Sequence, residues 1–332
     1  MSGDFLLEVD DLHVHFPIKA GLLQRTIGQV RAVNGVSFNV ARGEAVGIVG
    51  ESGCGKTTVA RAILRLVEAT QGQVKYDGHV VTSQAGAQLS PFRRKVQAIF
   101  QDPFSSLNPR NTTLDIIAEP LRVHGLAQGD GIRQRVIQLL ELCELPERFM
   151  ELYPHEMSGG QRQRVGIARA LAMEPELIIC DEAVSALDVS IQAQIINLLA
   201  RLQTELGLSY VFIGHDLSVV RHLCNRVAVM YLGRVMEIAD SETLFASPQH
   251  PYTKALLDAV PNPDPFTEAE REVEPLQGEV PNPSDPPSGC VFHTRCPVAL
   301  SQCSQSVPVL TKLGLTQSSA CLLVQEPFTS DA

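Results

Sequence analysis

The chain has 332 residues, 44% hydrophobic and 19% charged, with 24 glycines and 21 prolines. This is apolar material enough for one large core and a smaller unit, and it excludes a disordered or fibrous class. A net charge of −10 without a Lys/Arg-rich block argues against nucleic acid as a main partner.

The first residues, MSGDFLLEVDDL, carry early acids and lack the basic stretch and apolar run of a secretory signal. No uncharged apolar stretch approaches the roughly 20 residues that span a bilayer. The expectation is a cytoplasmic protein with reduced thiols, whose membrane role, if any, acts through partner proteins. Residues 5 to 41 and 73 to 82 alternate apolar and polar residues around glycine turns, which suggests an antiparallel flank. Glu44–Gly50, Lys95–Phe100, Glu176–Ile179 and Ser209–Ile213 are instead continuously apolar, as suits parallel strands covered on both faces. Residues 112 to 173 read mostly as helices and form a candidate helical lobe. A helix is expected from Ser190 to Leu206, with Ile191, Ile195, Leu198, Leu202 and Leu206 on one stripe, Ser190 as N-cap and Gly207 as its stop. The alternation of strands and helices implies an α/β fold with a largely parallel sheet. Beyond Pro261 the composition turns to a Pro-rich connector, PNPDPFTEAE and EVPNPSDPPSG, followed by a small C-terminal unit of its own.

The chemistry begins at Gly50-Glu-Ser-Gly-Cys-Gly-Lys-Thr57, which satisfies G-x-x-x-x-G-K-[ST] between an apolar strand and a helix. Glycines let such a loop curl so that backbone N–H groups face phosphate oxygens, and the helix N-terminus adds partial positive charge. Gly50, Ser52, Gly53, Cys54, Gly55, Lys56, Thr57 and Thr58 are the candidate cradle, Lys56 reaching the β- and γ-phosphates and Thr57 ligating Mg²⁺. The strand ELIIC ends in Asp181-Glu182, an acidic pair at the rim where such sheets bind nucleotides. Asp181 suits Mg²⁺, and Glu182 suits a general base acting on water. The loop alone would equally serve a kinase or a GTPase.

Half of the eight cysteines fall in the tail, as Cys290-x5-Cys296-x6-Cys303-x17-Cys321. Four thiolates fit a structural Zn²⁺ or a [4Fe–4S] cluster, and spacing alone leaves the two open, since the tight pairs usual for zinc are absent. A disulfide set is disfavoured in a reducing compartment. Cys54 in the phosphate loop is a candidate for sensitivity to thiol reagents, whereas Cys143, Cys180 and Cys224 read as fillers.

Four further stretches carry a family resemblance. Met157-Ser-Gly-Gly-Gln161 before the helical RQRVGIARALAMEP resembles the signature motif of ATP-binding cassette (ABC) ATPases. QDPFSSLNPR supplies Gln101 as a Q-loop, SALD ends in Asp188 as a D-loop, and GHDLS supplies His215 as a switch histidine. The resemblance implies a P-loop NTPase core over residues 1–245, with an antiparallel β subdomain and a helical subdomain at about 105–173. It also implies that Ser158, Gly159, Gly160 and Gln161 meet the γ-phosphate of an opposing subunit in a head-to-tail dimer. Gln101 would contact Mg²⁺ and the attacking water, and His215 the γ-phosphate. Phe16, in HVHFPIK, is the candidate for stacking on adenine. Where related subunits often read D-E-P, this chain has Asp181-Glu182-Ala183, a departure expected to leave activity intact.

GESGCGK, YPHEMSGGQRQR, HPYTKALL and the tail phrase GCVFHTRCP narrow the likeness to the oligopeptide/dipeptide importer ATPases, nearest to the second ATPase subunit of the oligopeptide permeases. This implies ATP and Mg²⁺, and a sister ATPase as heterodimer partner. It further implies two transmembrane permease subunits, indirect service of an extracytoplasmic peptide-binding protein, a peripheral place on the cytoplasmic face of the inner membrane, and no nucleic acid. It assigns residues 246–332 to a peptide-importer-type extension, and tips the cysteine set toward [4Fe–4S], with Zn²⁺ as alternative. Importers of nickel or glutathione share such a tail, and a soluble cassette ATPase is the rival of a different class.

Overall fold

A computed structural model describes residues 5–21, 24–102, 106–260 and 276–324. In chain order the elements are β1 (Phe5–Ala20), β2 (Arg25–Ala41), β3 (Ala45–Val49), α1 (Lys56–Ile63), β4 (Gln71–Tyr76), β5 (His79–Val80), α2 (Ser90–Lys95) and β6 (Val96–Ile99). Then come α3 (Thr113–Val123), α4 (Asp130–Leu142), α5 (Gly159–Leu171), β7 (Leu177–Asp181), α6 (Val189–Leu206), β8 (Ser209–Ile213) and α7 (Leu217–Leu223). The chain closes with β9 (Arg226–Tyr231), β10 (Arg234–Asp240), α8 (Ser241–Ala246), α9 (Pro251–Asp258), β11 (Thr311–Lys312) and β12 (Ser318–Ser319). No described helix is long and apolar enough to cross a membrane.

Two compact units emerge. The first comprises residues up to Leu7, Val40–Ala45 and Tyr76–Ile213. Its strands β6, β7 and β8 are parallel, with Val96 opposite Leu177 and Leu177 opposite Ser209. Every residue of β7 and β8 is buried, the reason their sequences run apolar without alternation. Helices α3, α4 and α5 pack on one another through Ile116, Ile117 and Leu121, through Val136, Leu139 and Leu140, and through Val165, Ile167 and Ala168. Residues 112 to 173 are thus mostly helical, as their pattern suggested, and belong to the same unit as β6, β7 and β8.

Helix α6 corrects one detail of the sequence reading. Its N-cap is Asp188, whose carboxylate accepts from the Ile191 N–H at 3.1 Å, while the Ser190 hydroxyl donates to the same carboxylate. An aspartate there also opposes the helix dipole, which the hydroxyl of Ser190 would not do. Gly207 closes the helix at φ +66°, as expected. The buried stripe runs through Ile195, Leu198, Leu199 and Leu202, and Leu206 is exposed.

The second unit comprises the described residues of Glu8–Asn39, of Val46–Lys75 and from Gly214 onward. In it β3 runs parallel to β9, with Val46 opposite Arg226. Strand β9 turns into antiparallel β10 through Leu232 and Gly233, both at positive φ as a tight hairpin requires. In a separate sheet, β1 lies between β2 and β4.

The tail is not a unit of its own. Ser318–Ser319 pairs with Glu237–Ile238 of β10, and β11 pairs with β12, so the tail extends the β3–β9–β10 sheet by two strands. Glu237 anchors this edge from full burial: its carboxylate accepts from the Gln249 and His250 backbone N–H groups and from the Gln317 side-chain amide, each at 2.8 Å. Tyr231, Tyr252 and Phe292 meet with ring centroids 4.8 to 5.3 Å apart and bury the tail's apolar anchor. A separate core for so short a segment would be marginal, and this docking removes the need for one. The connector expected from Pro261 lies outside the described residues up to 275; residues 279–289 form an irregular loop.

His250 makes this region pH-dependent. The ring is buried and its Nδ1 accepts from the Tyr252 N–H at 3.0 Å, capping α9. Burial pushes its pKa down to about 4 despite a hydrogen bond with the Ala320 backbone. Between pH 6.5 and about 4 the unfolded chain therefore binds a proton that the folded chain refuses. Stability is expected to fall across that window by up to about 3 kcal/mol, and His250→Asn is expected to flatten the dependence. Urea midpoints at pH 7.0 and 4.5 check this; parallel losses in both proteins would contradict it.

Candidate functional site

In the second unit, β3 delivers the chain into the loop Gly50–Gly55 and α1 receives it. Gly50, Gly53 and Gly55 have φ of +153°, +79° and +106°, so the curl expected from their spacing is present. A Cβ on Gly50 would overlap the Met230 carbonyl oxygen of β9, and one on Gly55 the Ala32 carbonyl oxygen of β2. Gly233 of the β9–β10 turn donates its N–H to the Cys54 carbonyl at 2.8 Å and accepts from the Asn34 N–H at 2.8 Å. The loop is thus clamped by backbone on two sides. Helix α1 opens on Gly55 with no side-chain cap and no acid in its first turn, so the positive end of its dipole suits an anion. The Lys56 ammonium folds back onto the Gly50 and Glu51 carbonyls at 2.7 and 3.0 Å. Glycine curl, uncapped helix end and lysine together fit a polyphosphate. Ser52 and Gly53 are exposed, and Thr57 and Thr58 half-buried, at the same end of α1.

Cys54 is enclosed within the loop. The thiol is buried, and burial outweighs nearby Lys56 to raise its pKa, which disfavours the thiolate form. Cys143, Cys180 and Cys224 are buried fillers as expected.

In the first unit, the acidic pair ends β7. Asp181 is buried; Glu182 is half-buried and sits at φ +50°, a left-handed conformation that a non-glycine residue adopts at a cost of about 1 kcal/mol or more. Its N–H is held by the Ile213 carbonyl at 3.0 Å, and its carbonyl accepts from the Ser185 N–H and hydroxyl. The Gln101 side-chain amide donates to the Glu182 carboxylate at 2.7 Å. Two residues 81 positions apart, each picked from its own motif, are therefore brought together. Ala183 is buried and accommodates the turn.

The signature segment lies in the same unit. Ser158 caps α5, its hydroxyl accepting from the Gln161 N–H while Gln161 Oε1 accepts from the Ser158 N–H. Ser158, Gly160 and Gln161 line an open cleft of about 340 Å³. Gly160 has a second duty that its motif did not advertise. A Cβ there would overlap Ile191 Cγ2, so the glycine is needed for α5 to approach α6. Asp188, assigned to nucleotide from its motif, is engaged in capping α6.

Two candidates of the second unit remain. His215 is exposed one residue past Gly214, whose N–H bonds the Ile48 carbonyl, and just before the α7 cap Asp216. Phe16 lies in β1 and is 40% exposed, which removes it from the core and leaves its ring for a ligand.

Cys290, Cys296, Cys303 and Cys321 all line one small cavity with His250, Phe292 and His293. Burial raises the pKa of Cys290, Cys296 and Cys321, and the neighbouring tail cysteines add to it. The four share a cavity wall, yet among the described residues no group of three His, Cys, Asp or Glu side chains is placed to hold a metal ion. The sequence reading gave no role to Glu51 of the phosphate loop, or to Tyr252 and Arg295, which both bond to it. Each lay inside a phrase quoted for the resemblance, GESGCGK, HPYTKALL or GCVFHTRCP, with no pattern that joined them.

Residues 33–185 match the ABC transporter family, and residues 236–303 the oligopeptide/dipeptide transporter C-terminal region. The oligopeptide transport ATP-binding protein AppF of Bacillus subtilis is 50% identical over 97% of this chain and 98% of its own. OppF of Salmonella typhimurium, also an oligopeptide transport ATP-binding protein, is 52% identical over 92% of each chain. Among solved structures, cbiO1 from Clostridium perfringens, part of the ABC transporter complex cbiONQ, has a TM-score of 0.62 at 28% identity, covering 74% of this chain and 92% of its own. A dimeric bacterial ABC transporter cassette, MJ0796, has a TM-score of 0.62 at 31% identity, covering 71% and 98%.

The two signature glycines should respond differently to a methyl group. Gly160→Ala is expected to destabilise the fold by about 1–3 kcal/mol, because Ile191 must move. Gly159→Ala, whose Cβ meets only Leu187 at 3.3 Å, is expected to stay within about 0.5 kcal/mol of the parent. Chemical unfolding measures both, and equal losses would refute the packing role of Gly160.

Proposed function

The chain belongs to the oligopeptide/dipeptide importer branch of the ABC transporter ATPases, and on that premise we propose that it hydrolyses ATP to power oligopeptide uptake. The observation that carries this reading is the Gln101–Glu182 hydrogen bond at the end of β7. It joins a candidate base to the head of the helical lobe. A base that acts on water must present its carboxylate in a fixed rotamer, and the Gln101 amide supplies that constraint without adding charge.

The roles follow from residue chemistry. The Gly50–Thr58 loop binds the nucleotide phosphates through backbone N–H groups, with Lys56 leaving the loop carbonyls to meet them. Phe16 stacks on the adenine. Glu182 takes a proton from the attacking water, and His215 donates to the γ-phosphate. Thr57, Asp181 and Gln101 are the ligands proposed for Mg²⁺, which when bound neutralises charge on the β- and γ-oxygens. Ser158, Gly159, Gly160, Gln161 and Asp188 serve the nucleotide of the opposing subunit in a head-to-tail dimer.

The proposed partners are a sister ATPase and two membrane permease subunits fed by an extracytoplasmic peptide-binding protein. The proposed place is the cytoplasmic face of the inner membrane. Peptide then never touches this chain, whose work is to turn ATP binding and hydrolysis into closure and opening of the dimer.

Within the proposed extension, residues 246–332, Cys290, Cys296, Cys303 and Cys321 are the ligands proposed for a [4Fe–4S] cluster, with Zn²⁺ as the competing occupant. Their shared cavity supports a single centre. Such a centre would hold the tail folded, since ATP hydrolysis has no redox step.

Glu182→Gln is expected to retain MgATP binding and to lower turnover by about 10²- to 10⁴-fold. Near-normal hydrolysis would remove Glu182 as the base. Anaerobically purified protein is expected to be brown and to contain iron and sulfide in equal amounts. A colourless preparation holding one zinc would assign the tail to zinc instead.

A further inference from the structure

The phosphate loop carries a carboxylate where its task disfavours one. Glu51 directly follows Gly50, within a loop whose backbone amides and lysine serve negatively charged oxygens. An uncompensated carboxylate there repels a polyphosphate through a medium far less screening than water.

The structure compensates it from the far end of the chain. Arg295 forms a two-pronged ion pair with Glu51, Nη1 to Oε2 at 2.7 Å and Nη2 to Oε1 at 3.1 Å. The arginine side chain is 6% exposed and that of Glu51 25%. Nη1 also reaches the Tyr231 hydroxyl at 3.4 Å, and the guanidinium lies 5.8 Å from that ring's centroid. The arginine is held in turn: its N–H donates to the carbonyl of Phe292, a fully buried residue in the Tyr231–Tyr252 aromatic cluster.

The remaining polar groups of Glu51 are tied as well. Its N–H donates to the Tyr252 hydroxyl at 3.0 Å, and its carbonyl accepts from Lys56. One residue thus joins the tail, α9 and the lysine of the phosphate loop. A planar fork bonded to both carboxylate oxygens fixes orientation as well as charge.

We propose that Arg295 is a positioning residue of the phosphate loop, cancelling the charge of Glu51 and holding it away from the nucleotide phosphates. The inference rests on the nucleotide-binding reading above and deepens it, because it makes the tail part of the apparatus that sets nucleotide affinity. If the pair merely pinned the tail, neutralising Glu51 would do nothing for a chain that has lost Arg295. If the pair cancels charge, neutralising Glu51 repairs that loss.

The test is calorimetric titration of the full chain with MgADP and with MgATPγS. Arg295→Met is expected to weaken binding about tenfold, and Glu51→Gln in the Arg295→Met background to recover to within about threefold of the parent. Glu51→Gln alone keeps the cation and removes the repulsion, so binding about two- to threefold tighter is expected, which also decides the matter should Arg295→Met fold poorly. Arg295→Lys keeps the charge without the fork and should fall between the parent and Arg295→Met. Unchanged affinity in Arg295→Met, a double variant no better than Arg295→Met, or a Glu51→Gln chain that binds tenfold more weakly would each overturn the positioning role. A parent chain that binds neither nucleotide would instead overturn the nucleotide reading itself.

Discussion

Backbone meets backbone at Gly50 and Gly55, and a side chain at either position would occupy the space of a carbonyl oxygen, that of Met230 or of Ala32. The phosphate loop keeps its curl because β2 and the β9–β10 hairpin press on it at these points. From that constraint follow the φ values that turn the loop inward, the uncapped start of α1 and the position from which Lys56 bonds two loop carbonyls. A loop with relaxed walls would offer its amides in many orientations, and anion binding by amides depends on their convergence. The fold is organised to deny the loop that freedom.

The tail contributes to the same restraint. Strands β11 and β12 extend the sheet that contains β9 and β10, and Glu237 ties three donors at that edge. The aromatic cluster of Tyr231, Tyr252 and Phe292 joins the sheet, α9 and the cysteine-lined segment. Tyr252 and Arg295 then reach Glu51. The extension that distinguishes this branch of the family is therefore continuous with the phosphate loop through side chains, not an appendage beside it.

Much of this was legible beforehand, for identifiable reasons. The loop glycines and Lys56 could be read because phosphate binding imposes spacing, and β7 and β8 because strands covered on both faces show unbroken apolar runs. Gln101 and Glu182 were each legible as residue types after a strand, though not as hydrogen-bond partners. The hairpin Arg226–Asp240 escaped notice, its turn marked only by Leu232-Gly233. Ser318–Ser319 could not be read as a strand, since two polar residues carry no period and their place is set by pairing with β10. The Asp188 cap was missed because Ser190 is an equally good capping type. The Arg295–Glu51 pair spans 244 positions, a separation at which local pattern carries no information.

The central claim is that this chain spends ATP to move oligopeptide across a membrane through partner subunits. The most direct measurement is uptake of a labelled oligopeptide into proteoliposomes that hold the chain with its co-expressed ATPase and permease partners, with the binding protein outside and MgATP inside. Accumulation that requires internal ATP, together with hydrolysis stimulated by the peptide-loaded binding protein, is the predicted result. Hydrolysis at one unchanging rate, with no peptide accumulated in a complex that contains every partner, would contradict it.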